Sequence, residues 1–567
     1  MRIGRLGLVG LAALAAACGE DKPAPRFLVG GTVTGLAGGG LGLQLNGTES
    51  LTRQADGPFS FETRLEDQRD YTVTVSTQPP EQDCSVEGGM GKVAGADVNG
   101  VQVRCTTRTY TLGGTVEGLS GPLTLGLDGG ETLSVTQAGR FTFTTKRLKG
   151  EAYAVSVVTA PQHQRCTVSN ASGTVTGNVE TLSVQCYAWF ALDNTQAAKT
   201  VIGQVNFSAN AANQEGTTPG ANTLNGPWGN PVLAGGRLYV TDQGSNRVLG
   251  FTGVPTTQGA SAAFVLGQTG SKTADFGDGP TGLDTPTGLS SDGTRLAVAD
   301  TRNSRILLHP ALPSGTGAAA TLAVGQPNLE PGSNARDCTP SALFNPEDVF
   351  LGRGKLLVAD TANNRVLVWN TLPTTSGAPA DLVLGQRSFS TCRANDADDA
   401  DGNGVPDAPP SASTLWNPTG VWTDGTRLVV ADSYNNRVLV WNQFPTTSGQ
   451  PADVVLGQPS FTSRNPATTA TGLNTPYFVT STGLQLFVVD QQNHRVLGWN
   501  QFPTTPGAAA NLVLGQQDFT SAFPYDPSTG GDPSARSFNQ PSGVLLAWPH
   551  VVVSDAANNR VLVFESR

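Results

Sequence analysis

From residue 187 to the C terminus one stretch of sequence recurs six times, and this repetition limits the fold more than any other feature of the chain. Two of its copies read NPEDVFLGRGKLLVADTANNRVLVWNTLPTTSGAPADLVLGQ from Asn345 and NPTGVWTDGTRLVVADSYNNRVLVWNQFPTTSGQPADVVLGQ from Asn417. An Asp falls at Asp242, Asp300, Asp360, Asp432, Asp490 and Asp555, and an Arg follows five residues later each time, at Arg247, Arg305, Arg365, Arg437, Arg495 and Arg560. A Gln lies 26 residues after the Asp in five copies, at Gln268, Gln326, Gln386, Gln458 and Gln516. Fixed spacing inside each copy, with all length variation between copies, marks one structural unit repeated and joined by connections free to grow.

Each copy offers four short apolar strands, in the fourth copy residues 420–423, 428–431, 438–441 and 454–456. Four-stranded units repeating at this scale are the blades of a β-propeller. The sixth copy stops after its third strand, and the chain ends at Arg567. The missing strand is at the other end of the repeat region, where Thr200-Val201-Ile202-Gly203-Gln204 matches the Val-Leu-Gly-Gln strand of the other copies. The expectation is a six-bladed ring, closed by that N-terminal strand.

The wording Asn-Pro-x-Gly-Val, apolar strand, Val-x-Asp and Asn-Arg-Val resembles the NHL repeat family, over residues 187–567 and in all six units, with departures at Ser245, Ser304 and His494. The resemblance implies a propeller that binds protein, carbohydrate or nucleic acid. In a few relatives it implies a lyase or lactone hydrolase with a metal in the central channel. Fold alone does not choose among these. The net charge of −10 and pI near 5.0 speak against nucleic-acid phosphates, which need a cationic face.

Upstream, two units repeat at an offset of 82 to 83 residues. GGTVTGL at Gly30 recurs as GGTVEGL at Gly113, and YTVTVSTQPPEQDC from Tyr71 recurs as YAVSVVTAPQHQRC from Tyr153. Alternating Val, Thr and Phe bounded by Gly and Pro predict antiparallel strands in two small β-sandwiches, residues 27–106 and 107–186. The cysteines fall as one pair per unit, Cys84 with Cys105 and Cys166 with Cys186, which predicts one disulfide each in an exported domain. These units resemble immunoglobulin-like surface domains and carry no catalytic constellation, so their expected role is a spacer.

Residues 1–17 read as a secretory signal, with Arg2 and Arg5, an apolar stretch, then Ala15-Ala16-Ala17 before Cys18. A Cys after such a site resembles the bacterial lipobox, which implies a lipid on Cys18 and a short tether over 18–26. Gly19 next to it implies sorting to the outer membrane, on its periplasmic or external side. Lipid chains would then anchor the chain without a membrane span.

The six Asp and Arg pairs repeat in every blade, so their expected role is to brace turns; a ligand site should instead break the repetition. Antiparallel order sends the second-to-third turn and the fourth-to-first connection of every blade to one face, which carries all the long insertions. After the Pro that leads into each innermost strand stand Trp228-Gly229, Thr287-Gly288, Glu347-Asp348, Thr419-Gly420, Tyr477-Phe478 and Ser542-Gly543. Blades one, three and five depart, which makes Trp228, Glu347, Asp348, Tyr477 and Phe478 the candidate ligand contacts at the channel mouth. The four His residues, His163, His309, His494 and His550, show no metal-ligand spacing, and no GxSxG elbow or phosphate loop occurs. The reading is therefore a noncatalytic platform for a protein or carbohydrate ligand. Its rival is a metal-dependent hydrolase or lyase, lactonase-like or amidating-lyase-like, with the metal at Glu347 or Asp348.

Two further expectations concern the long connections. Cys338 and Cys392 lie in successive fourth-to-first connections and should pair in an oxidising compartment. The stretch NDADDADGNGVPD, residues 395–407, places oxygen donors at Asp399, Asp401, Asn403 and Asp407, with Gly404 sixth and the Val405 carbonyl seventh in the count from Asp399. Alternate oxygens round a tight turn suit a structural calcium ion, and the stretch resembles the calcium loops of thrombospondin type 3 repeats. Pro410 at the twelfth place excludes a full EF-hand.

Overall fold

The computed structural model describes residues 24–330, 336–400 and 403–567, and apart from short 3-10 turns its regular structure is all β. The signal segment, Cys18 and Asp401 lie outside the described residues. The chain forms two compact units, one ending at Cys186 and the other beginning at Tyr187, with His163–Arg165 grouped in the second.

The first unit holds two sandwiches of two four-stranded sheets each. In the first sandwich, one sheet runs Gly57–Ser60, Val29–Thr34, Val98–Thr107, Gln82–Glu87, and the other Glu49–Arg53, Leu41–Leu45, Asp70–Thr77, Met90–Lys92. The second sandwich repeats this order from Leu112–Glu117 to Val179–Ala188. The expectation of antiparallel strands throughout is corrected at one pair in each: Val29–Thr34 runs parallel to Val98–Thr107, and Leu112–Glu117 parallel to Val179–Ala188. The repeated Gly-Gly explains how. A Cβ on Gly31 would fall 1.8 Å from the Val101 carbonyl oxygen, and one on Gly114 1.8 Å from that of Leu182, so the first strand must be bare where the last one approaches. Cys84–Cys105 and Cys166–Cys186 are disulfides, each with Cα atoms 4.0 Å apart.

The second unit is a β-propeller of six four-stranded sheets. Its fourth blade, for example, runs Pro418–Thr423, Leu428–Asp432, Arg437–Trp441, Val454–Leu456 from the inside outward. In the last blade the outer strand is Thr200–Ile202, paired antiparallel with Arg560–Glu565 in the register Thr200 to Val563, Val201 to Leu562 and Ile202 to Val561. The inner strand of this blade, Pro541–Ala547, closes the ring on the first blade: Ser542 Oγ donates to the Pro227 carbonyl at 2.9 Å and the Val544 N–H to Asn230 Oδ1 at 2.8 Å. Between blades the core is Val, Leu and Trp, with Leu356, Val358, Leu367 and Trp369 of the third blade packed on Ala297 and Val324 of the second.

Each repeated polar residue has a structural task. The Asp takes the Arg Nε on Oδ2 at 2.6 to 2.7 Å, both side chains being essentially inaccessible, and the backbone N–H of the connection leading into its own blade on Oδ1. The Arg spends its remaining donors on carbonyls of the connections before and after its blade, as Arg365 does on Thr339, Ala342 and Phe389. In four of the copies the Gln after the fourth strand donates to the carbonyl of the residue ending the second-to-third turn and to one seven residues further on, as Gln386 does to Asn364 and Arg393. Gln204 makes the same pair of bonds, to Asn559 and Ala211, so the N-terminal segment supplies the brace as well as the strand.

Candidate functional site at the channel mouth

Even blades approach the channel with small residues. Thr287 Oγ1 donates to the Glu347 carbonyl at 2.7 Å, and Thr419 Oγ1 to that of Tyr477 at 2.6 Å. A Cβ on Gly288 or Gly420 would lie 2.7 Å from those same carbonyl oxygens, and one on Gly543 2.0 Å from that of Gly229. The Thr-Gly and Ser-Gly pairs thus let the even inner strands press on the backbone of the next blade. Only the odd blades have larger side chains left to fill the mouth.

Three of those side chains meet. The Tyr477 hydroxyl donates to Glu347 Oε2, and the Trp228 ring meets the Tyr477 ring edge to face with centroids 5.4 Å apart. Blades one, three and five are thereby joined across the mouth. Trp228 and Glu347 keep part of their surface accessible, while Tyr477 is buried. Burial pushes the Glu347 carboxyl up to about 7, against the pull of the Tyr477 hydrogen bond. Tyr477 is the hydrogen-bond partner of that carboxyl, and no cation counters it among the described residues.

The other two candidates face differently. Asp348 is 1% exposed, and its Oδ2 accepts the Val421 N–H of the fourth blade at 2.9 Å. Its Oδ1 has no hydrogen-bond partner, and burial raises its pKa well above the ordinary value. Phe478 is fully buried, in a cluster with Phe487, Val489 and Val496. Asp348 therefore braces adjacent inner strands and Phe478 is core, which corrects their expected exposure to a ligand.

Around the mouth, the sequence reading missed a set of exposed apolar residues. Val205, Phe276, Val405, Phe523 and Tyr525 stand on fourth-to-first connections, and Tyr434 on a second-to-third turn. Phe276 is 78% and Tyr434 51% exposed. All six share one face by strand order; Trp548, on a first-to-second turn, belongs to the other. All but Tyr434 lie in connections of individual length, where repetition gives no guide.

The same face carries the third disulfide, Cys338–Cys392, with Cα atoms 5.9 Å apart. In the acidic stretch beside it, Asp399 accepts the Asn403 N–H at 3.1 Å and the Gly404 N–H at 2.9 Å, and Asp407 accepts the Ala400 N–H at 2.9 Å. Arg387 pairs with Asp396 and Arg393 with Asp398. No group of three His, Cys, Asp or Glu able to hold a metal occurs among the described residues.

No family model and no curated protein matches the sequence. Among solved structures, virginiamycin B lyase from Staphylococcus aureus is similar at 11% identity and a TM-score of 0.32, covering 61% of this chain and 97% of that one. A streptogramin B lyase is similar at 11% identity and 0.31, covering 62% and 95%. A nidogen/laminin complex chain is similar at 14% identity and 0.27, covering 51% and 83%. At these scores the assignment of the fold rests on the strand order of the chain itself.

Proposed function

We propose that the propeller is a noncatalytic platform for a protein ligand, which docks on the face bearing the long connections. The observation that carries this reading is the concentration of exposed large apolar side chains on that face, around a mouth lined by Trp228, Glu347 and Tyr477. Exposed apolar groups with aromatics among them suit a broad protein surface. A carbohydrate or small substrate would instead need an open, concave mouth. In this reading the six blades are NHL repeats, the sandwiches are immunoglobulin-like spacers, and a lipid on Cys18 holds the chain at the outer membrane. Calcium at Asp399, Asp401, Asn403, Val405 and Asp407 would stiffen the docking face; each carboxylate oxygen that accepts an N–H there retains a lone pair for a cation.

The test is capture by the full chain against a Phe276→Ser/Tyr434→Ser/Tyr525→Ser variant of equal melting temperature, with bound proteins cross-linked and their contact peptides mapped. The reading expects partners cross-linked to this face and lost with the variant. Equal capture by both would place the docking surface elsewhere. For the anchor, Cys18→Ala should abolish lipid labelling, and retained labelling would remove the lipoprotein claim.

A further inference from the structure

Resting on the platform reading, we infer that the channel mouth takes an alkylammonium group, the side chain of a lysine on the protein ligand, paired with Glu347 and lying against Trp228. Two observations converge on this chemistry. Glu347 is a partly accessible residue whose carboxyl has no counter-cation among its described partners, in a mouth that otherwise presents aromatic rings. Trp228 packs edge to face on Tyr477, whose hydroxyl holds Glu347, so an aromatic pair stands beside the carboxylate.

The number of free oxygens separates an ammonium from a guanidinium. Tyr477 already occupies Oε2, which leaves Oε1 for a ligand. The planar fork of Arg gains most from two parallel bonds to one carboxylate, whereas the ammonium of Lys is a compact point charge that one oxygen can serve. Tyr477 is then a positioning residue, because its hydroxyl fixes the carboxylate that the cation meets.

The pH dependence follows from the same group. Glu347 meets Tyr477, which packs on Trp228, and acts on the neighbouring Asp348, with Tyr434 close enough to act on Tyr477. Its carboxyl is pushed up to about 7, so it is mostly neutral at pH 6 and mostly ionised at pH 8. Binding of a permanent cation should therefore strengthen about tenfold over that interval.

Titration calorimetry on the full chain at pH 8, with n-butylammonium and with Nα-acetyl-lysine N-methylamide, tests the inference. Nε-acetylated lysine and Nα-acetyl-arginine N-methylamide serve as comparisons. Both amines should bind with a Kd on the order of millimolar, at least about tenfold more tightly than acetylated lysine or arginine. Glu347→Gln should abolish that preference with no loss of melting temperature, since it removes a buried charge at nearly constant shape. Trp228→Leu should weaken both amines severalfold. No heat from either amine with the folded chain, or unchanged binding to Glu347→Gln, would overturn the inference. Binding of butylammonium without the lysine amide would also overturn it, in favour of a free amine as the ligand. Loss of capture in a Phe276→Ser/Tyr525→Ser variant with amine binding intact tests the platform separately, because neither residue acts on Glu347 or Tyr477.

Discussion

His494 Nδ1 accepts the backbone N–H of Gln540 at 3.0 Å, a bond from the turn of one blade to the entry of the next. Asn246, Ser304, Asn364, Asn436 and Asn559 make the same link to Thr285, Asn345, Asn417, Thr475 and Gly226, so the bonds run round the whole ring. All six residues hold φ between 49° and 56°, the left-handed turn that Asn tolerates best. An imidazole can fill this place only while Nδ1 is an unprotonated acceptor.

Acid should therefore loosen the joint between blades five and six. Burial lowers the His494 pKa from its ordinary 6.5. Between the lowered value and 6.5 the unfolded chain binds a proton that the folded chain does not, so this contribution is complete above 6.5 and is lost as pH falls. His494→Asn should keep the link and remove this part of the acid sensitivity. Urea midpoints from pH 5 to pH 8 decide it, and parallel curves for the two proteins would refute the role given to His494.

Buried charge makes the Asp and Arg pairs far less tolerant of change than surface ion pairs. Arg365 joins Asp360 at 2.7 Å and donates to three carbonyls of neighbouring connections. Arg365→Met would leave the carboxylate and those carbonyls without their donor. The expected loss is about 3 to 5 kcal/mol, read from urea unfolding, whereas a loss below about 1 kcal/mol would mean that water replaces the guanidinium.

Ring closure rests on a short strand, and Val201 at its centre is inaccessible. The same segment reaches further than a strand: Asn194 Oδ1 accepts the Val513 N–H at 2.9 Å, the task that Ser448 performs for Val383 and Ser376 for Ala323. Each outer strand is thus covered at its edge by the next hairpin. Val201→Asp buries a charge in this joint and should lower the melting temperature and promote aggregation. An unchanged melt would mean that the ring closes without this strand.

Repetition made most of this architecture legible. Asp432, Arg437 and Gln458 announce their blade because their tasks recur in every blade, and the Gln204 match located the closing strand for the same reason. The Pro-Thr-Thr-Ser-Gly hairpin occurs in the third and fourth copies, but nothing in sequence tells that Ser448 covers the edge of another blade. At the mouth the alternation of large and small residues marked the right positions without giving side-chain direction. Asp348 follows Glu347 yet turns to Val421, and Phe478 follows Tyr477 yet enters the core, because successive residues at a strand entry point to opposite sides. Phe276 and Tyr525 were missed because exposure in an irregular connection leaves no periodic trace.

Cys338 and Cys392 tie together two connections that have no strand to hold them. The chain has seven cysteines, and without Cys18 the six that remain form three disulfides. The unreduced, unfolded chain starting at residue 19 should accordingly show no free thiol, and two would refute this pairing. The bridge spans 54 residues, for which chain entropy alone gives about 4 kcal/mol. Much less is expected from the Cys338→Ser/Cys392→Ser variant, because Arg305, Arg365 and Arg437 still hold carbonyls on either side of these connections. Arg336 also donates to the Cys392 carbonyl and does not depend on the bridge. The variant should therefore keep its global melt within a few degrees, but be cut by protease in the connections around Cys338 and Cys392 well before it unfolds. Unaltered protease resistance of both connections would show that the arginine clamps alone set their order.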